Sequence, residues 1–283
     1  SGFEFSATYR NHDHPFKYDV SANMSTLKNK VTSLGFGTTS YITGAYATYV
    51  GQEIGQFYGW VYEGIARTQD DLNNHATQQG ANVGDCLYKD ISGPDGTPDG
   101  VIDAYDQTVL GSGLPKVNFG LSAHMEYKNF DLSISTYGVL NYHVSDDIYN
   151  SLNSCYGWGN KDVAMADANR FSADGSTYLS SVPRTYAANK ATLAWNDLFS
   201  SRKIQNAAYW KIANVELGYN FPDQWFKGLV SGVRVYVSAQ NLYTFTGYKG
   251  YNVDYAGGTF TPGYNFCSFP SARSFMAGLH FTF

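Results

Sequence analysis

The chain has 283 residues, of which aromatics make up 17% (24 are Tyr), Gly accounts for 29, and charged residues make up only 15%. A soluble globular domain usually carries ~25% charge. The net charge of −5 provides no basic stripe and argues against a nucleic-acid partner. Mean hydropathy is −0.32, and no apolar run reaches the ~18 residues of a membrane-spanning helix. Such a composition suits a transmembrane barrel and, equally, a Tyr-rich soluble β protein.

Taken in order, the chain opens with a hairpin. Phe3, Phe5, Ala7 and Tyr9 alternate with Glu4, Ser6, Thr8 and Arg10. After the turn 11–15, Phe16, Tyr18, Val20, Ala22 and Met24 alternate with polar residues. A period of two marks a strand with one apolar face. A second hairpin is expected over 38–66, turning near Gly51 to Gly55. A third runs from Val117 to Tyr127 and returns from Phe130 to Ile134 across Lys128-Asn129. The fourth pairs Ala213–Phe221 with Val233–Ala239. A last strand carries Phe275, Ala277, Leu279, Phe281 and Phe283 on one face.

In a soluble sandwich these apolar faces would meet in a core; in a barrel they would face lipid. Connection lengths decide between the two. Short turns alternate with long stretches near 67–113, 141–205 and 247–272, the modest loop near 32–37 being the exception. Structureless loops beyond ~12–15 residues are uncommon, and barrels of the outer membrane put long loops on the extracellular side only. The expected fold is therefore all-β, a transmembrane antiparallel β-barrel with about nine strands in this chain. An odd count does not close, and lipid does not tolerate open edges. Residues 1–283 are thus expected to be the C-terminal portion of a larger barrel. The remaining strands would lie on an N-terminal part, divided from this chain in an extracellular loop before Ser1.

The sharpest constellation of polar residues is Asp95-Gly-Thr-Pro-Asp-Gly-Val-Ile-Asp-Ala-Tyr-Asp106. Asp95, Thr97, Asp99, Asp103 and Asp106, with the Val101 carbonyl, follow the register of a calcium loop with Gly100 at its sharp turn. A second register starts at Asp90 and treats part of 93–98 as an insertion. The alternative to both is an Asp/Gly-rich turn whose carboxylates cap local amides. Calcium is the one cofactor the sequence suggests.

Aromatics in the long loops are the candidate contacts to a substrate or a lid: Tyr149, Tyr156, Trp158, Tyr248 and Tyr251. The same residues could equally pack the loops together. Charges on the polar strand faces (Glu4, Arg10, Lys17, Asp19, Glu126, Glu216, Arg234) would pair with one another, or with a plug inside the barrel, more readily than touch substrate. His12 and His14 flank a turn. Cys86, Cys155 and Cys267 form no metal or redox motif. No nucleophile triad, P-loop or carboxylate pair stands out, so an enzyme is not expected.

Several segments resemble the SusC-type TonB-dependent transporters of the outer membrane. They are Gly55-Gln-Phe-Tyr-Gly-Trp60, Tyr88-Lys-Asp90, Asp99 to Asp106 leading to Gly111-Ser-Gly-Leu-Pro-Lys116, Ala239-Gln-Asn-Leu-Tyr-Thr-Phe-Thr246, and Arg273-Ser-Phe through Phe283. The resemblance implies a barrel of about 22 strands around a plug, with this chain at its C-terminal end. It also implies uptake of an oligosaccharide, a SusD-like surface lipoprotein as lid, and TonB acting through the absent plug. An oligopeptide importer of the same family, or a soluble or surface carbohydrate-binding β protein, are the competing readings. The insertion Ser92–Pro98 departs from the family's compact Asp-rich loop.

Overall fold

A computed structural model describes residues 1–154, 160–163, 170–172, 177–184, 195–226, 230–254 and 257–283. Seven strands form one antiparallel sheet in simple sequence order: β1 (Glu4–Asn11), β2 (Phe16–Thr26), β3 (Val117–Tyr127), β4 (Phe130–Leu140), β5 (Tyr209–Phe221), β6 (Gly232–Thr246) and β7 (Ser274–Thr282). Short turns join β1 to β2, β3 to β4 and β5 to β6. The long excursions 27–116, 141–208 and 247–273 all leave from the opposite end of the sheet.

The antiparallel all-β expectation holds, but the wall has seven strands among the described residues rather than about nine. The hairpin expected over 38–66 lies inside the first excursion. There, strands Ser40–Thr43, Tyr46–Tyr49, Gln56–Gly59 and Thr108–Ser112 make a separate four-stranded sheet. Each has four or five residues, whereas a transmembrane strand needs ~9–11. Burial differs too, since Tyr46, Ala47, Thr48 and Phe57 are all enclosed. With this hairpin in the loop layer, the exception near 32–37 disappears and long and short connections alternate strictly.

Register makes the wall two-faced. Phe5 pairs with Met24, Ala22 with Leu121, Leu132 with Met125 and Leu217, Leu217 with Val237, and Val237 with Ala277. Apolar positions thus meet one another along most of the wall, the exceptions being Leu121 and Ile212 on either side of Thr136 and Phe119 and Trp210 on either side of Gly138. This face is not buried against protein: Phe5 is 60% exposed, Leu217 44%, Val237 52% and Leu279 64%. A soluble sandwich would have sealed these side chains in a core. At the turn end the face is aromatic, with ring contacts in two groups, Tyr18–Phe16–Tyr127 and Phe130–Tyr219–Phe221. Aromatic girdles of this kind mark the edge of a bilayer-facing band.

Two irregularities near the loop end reset the pattern. Between β4 and β5 the register shifts around Ala213, so Trp210 and Ile212 keep to the apolar face while Tyr209 and Lys211 take the polar one. Such a bulge turns one strand's alternation by a single residue. Opposite it on β6, Asn241 sits at φ 51° and donates its amide to the Ala272 carbonyl at 2.9 Å. Asn tolerates the left-handed region better than most side chains, which gives the Ala239–Thr246 motif a backbone reason for its Asn.

Candidate functional site

The opposite face of the wall is polar, and its charges are matched. Arg10 Nε lies 3.7 Å from Asp19 Oδ1, Lys17 Nζ lies 3.8 Å from Glu126, and His12 Nε2 is 2.9 Å from Asp19. The strongest group joins three strands. Arg234 of β6 reaches Asp131 of β4 with two nitrogens (Nε–Oδ2 3.1 Å) and Glu216 of β5 with Nη2 at 2.8 Å. Asn220 adds a bond to Asp131 Oδ2 at 3.0 Å. Gly218, between the partners, is what lets Arg234 cross; a Cβ there would lie 2.4 Å from both Arg234 Nη2 and Asp131 Oδ2. Pairing within the wall is the role the sequence favoured for these charges. Asp131, the group's most buried member, was not singled out.

The excursions fold back onto the loop end of this face. Lys211 pairs with Asp254, and Tyr137 donates to the same carboxylate at 3.3 Å. Val139, Tyr142, Val144, Ala207, Tyr209, Tyr248 and Val253 close into an apolar cluster beside them. Asp146 caps the helix Asp147–Leu152 through the Tyr149 amide at 2.7 Å. Its other oxygen accepts from the Tyr248 hydroxyl and from Asn265 Nδ2. In the neighbouring layer Asp85 takes both nitrogens of Arg184 at 2.7 Å, with Asn196 at 2.8 Å.

In the Asp-rich loop the carboxylates serve the backbone. Asp106 is fully buried and accepts the amides of Ile91, Ser92 and Asp103 at 2.7, 3.2 and 2.9 Å. Asp103 accepts the Tyr105 amide, Asp99 the Val101 amide, and Asp90 the Gly100 amide at 2.7 Å. Gly100 stands at φ 81°. The Thr97 hydroxyl and amide hold the Asp95 carboxyl below its usual range. Ile102 plugs the loop into a core of Cys86, Tyr88 and Trp195. Val101 lies in a parallel bridge with Thr77, whose carbonyl accepts the Ile102 amide. Among the described residues no three His, Cys, Asp or Glu side chains meet at one point. In this arrangement the loop's acids accept backbone amides, while the second oxygen of Asp90 is buried without a hydrogen-bond partner. Asp106→Ala should cost about 3 kcal/mol, since buried amides lose their acceptor. Limited proteolysis should then cut near residues 91–106, and the wild-type melting midpoint with and without added calcium tests whether the loop also holds an ion.

The candidate contact aromatics separate. Tyr248 is only 7% exposed, and burial together with the hydrogen bond to Asp146 pushes its phenol up. It packs in the apolar cluster of the loop layer. Tyr251 is exposed. Tyr156 and Trp158 lie outside the described residues. Tyr149 stands with Tyr62 at a cavity of about 360 Å³ that also takes in Arg202, Lys203 and Lys249. Tyr62 and the three cations were not among the sequence candidates. Nothing in local spacing joins residues 62, 149, 202 and 249, and only the folded excursions do.

This architecture, a two-faced antiparallel wall with every long excursion at one end, is that of an outer-membrane β-barrel. Along its whole length the chain is similar to TonB-dependent receptors of the SusC kind. It is 29% identical over 301 residues to the TonB-dependent receptor P3 of Formosa agariphila, covering 100% of this chain and 28% of that protein. The TonB-dependent receptor SusC of Bacteroides thetaiotaomicron is 26% identical over 285 residues, covering 95% of this chain and 24% of SusC. The chain therefore spans about a quarter of the length of these curated relatives. No protein-family model matches it. Among solved structures, the RagAB peptide transporter superposes with a TM-score of 0.78 at 21% identity, over 100% of this chain and 29% of that one. The RagAB peptide importer in its open-open state gives 0.74 at 20% identity.

Proposed function

We propose that this chain is the C-terminal wall and loop layer of a larger outer-membrane importer that takes up an oligosaccharide in a TonB-dependent way. The observation that carries the reading is the wall itself. Among the described residues it has an apolar face without a protein partner, a polar face with internally paired charges, and two outer strands, β1 and β7, each hydrogen-bonded to a neighbouring strand on one side only. Unpaired strand edges are not tolerated in hydrocarbon, so further strands must continue the sheet at both β1 and β7. The relatives' greater length supplies room for them and for a plug.

In this reading the three excursions are extracellular. A SusD-like lipoprotein rests on them as a lid, and TonB acts on the plug from the periplasm. The chain's task is passage and recognition rather than bond chemistry. The RagAB likeness favours a second reading, an oligopeptide cargo. The test is uptake by the complete transporter in an outer-membrane strain deleted for it. Defined oligosaccharides should enter only with an intact TonB system and lid lipoprotein, and oligopeptides should not compete. Peptide uptake without saccharide uptake would reverse the assignment. A full-length protein that stays monodisperse without detergent would end the membrane reading altogether.

A further inference from the structure

We propose that the cavity between the helix Asp147–Leu152 and residues 202–203 and 249 is a binding subsite for an acidic oligosaccharide, one that carries carboxylate or sulfate groups. This rests on the oligosaccharide-import reading above and specifies its substrate class. Among the described residues the cavity's charged lining is Arg202, Lys203 and Lys249, with Lys203 paired to Asp197, in a chain whose net charge is −5. A concave surface lined by one sign of charge concentrates ligands of the other. An Arg fork beside lysines suits planar carboxylate and sulfate oxygens. A neutral sugar would need none of these cations.

The remaining lining gives the flat apolar surface a sugar ring requires. Tyr62 and Tyr149 both border the cavity, and Lys249 Nζ lies 5.9 Å from the centre of the Tyr149 ring. Ring face and charge are thus presented together. The wall of the cavity is pre-set by side-chain amides. Asn150 donates to Ser145 Oγ at 3.1 Å and to the Lys203 carbonyl at 3.4 Å, and Asn153 donates to the Tyr149 carbonyl at 2.7 Å.

Backbone usage argues against a peptide here. The amide of Tyr62 donates to Ser201, that of Tyr149 to Asp146, that of Val182 to Ser180, and that of Lys249 to Gln205. The amides of Asn153 and Lys203 bond to the carbonyls of Tyr149 and Ser200. Peptide main chains are commonly gripped by strand-edge amides and carbonyls, and these lining amides are already committed.

The test uses the full-length transporter in detergent, titrated with one oligosaccharide in neutral and in sulfated or uronate form, and with an acidic peptide of equal charge. The acidic saccharide should bind, and Lys249→Gln should weaken it about tenfold. Tyr149→Ala should weaken both saccharide forms, and heat-modifiability on gels checks that each variant is folded. If both variants bind the acidic saccharide within twofold of wild type, the subsite is wrong, even though neutral saccharides still bind and enter cells. It is equally wrong if Lys249→Gln weakens only the acidic peptide. If folded wild-type protein neither binds nor imports any saccharide, the import reading itself falls.

Discussion

Leu217→Arg should lower the stability of the complete barrel by about 2–4 kcal/mol, the cost of a cation near the bilayer midplane on the lipid face. Leu217 lies midway along β5, flanked by Leu132 and Val237, and its side chain meets no covering protein layer. The matched control is Ser122→Arg, at similar height on the polar face between Ser21 and Ser135. There an added guanidinium stays in water, and the change should remain within about 0.5 kcal/mol. Reversible urea unfolding from lipid vesicles reads both. Equal losses at the two positions would mean that the faces had been assigned wrongly. A loss at Ser122 alone would mean that they had been inverted.

Removing Arg234 should be nearly as damaging, at about 3 kcal/mol, because it strands a carboxylate held out of water. Asp131's side chain is 9% exposed and Glu216's is 29%, so Arg234→Met leaves two negative charges close together without their shared cation. The companion change discriminates charge burial from simple loss of packing. Arg234→Met with Asp131→Leu should recover most of the stability, since an apolar pair can replace a buried ion pair at little cost. Gly218→Val should mimic the single loss by pushing Arg234 off its partners. If the double variant is no better than Arg234→Met alone, the trio is not held by charge.

The wall was legible in the sequence because a period of two survives intact wherever one face must meet lipid and the other water. Phe130–Ile134 and Val233–Ala239 read as strands without help. The pattern misled at 38–66 because short strands inside a loop layer alternate too. What tells them apart is length and enclosure, and only length is visible beforehand. The bulge at Ala213 hid the inward turn of Lys211, since one inserted residue inverts every assignment beyond it.

The site was less legible. The Asp-rich segment announced itself, but spacing alone cannot show whether a carboxylate meets a cation or a backbone amide. Asp131 was passed over although it lies on the polar face of a recognised strand. Its importance comes from register with Glu216 and Arg234 across two neighbours. The basic cavity was invisible for a stronger reason: its members come from three excursions, and no local rule brings residues 62, 149, 202 and 249 together.

Short connections join β1 to β2, β3 to β4 and β5 to β6, so most of the wall is a series of hairpin staves linked by the long excursions. Residues 27–116 can then vary in length at small thermodynamic penalty, because doubling a closed loop costs only ~0.6 kcal/mol in chain entropy. New recognition surfaces can be grafted between staves during evolution while the staves stay as they are. Because the basic cavity draws on all three excursions, transplanting 27–116, 141–208 and 247–273 together from a relative with another cargo should carry its selectivity along and leave the host barrel intact.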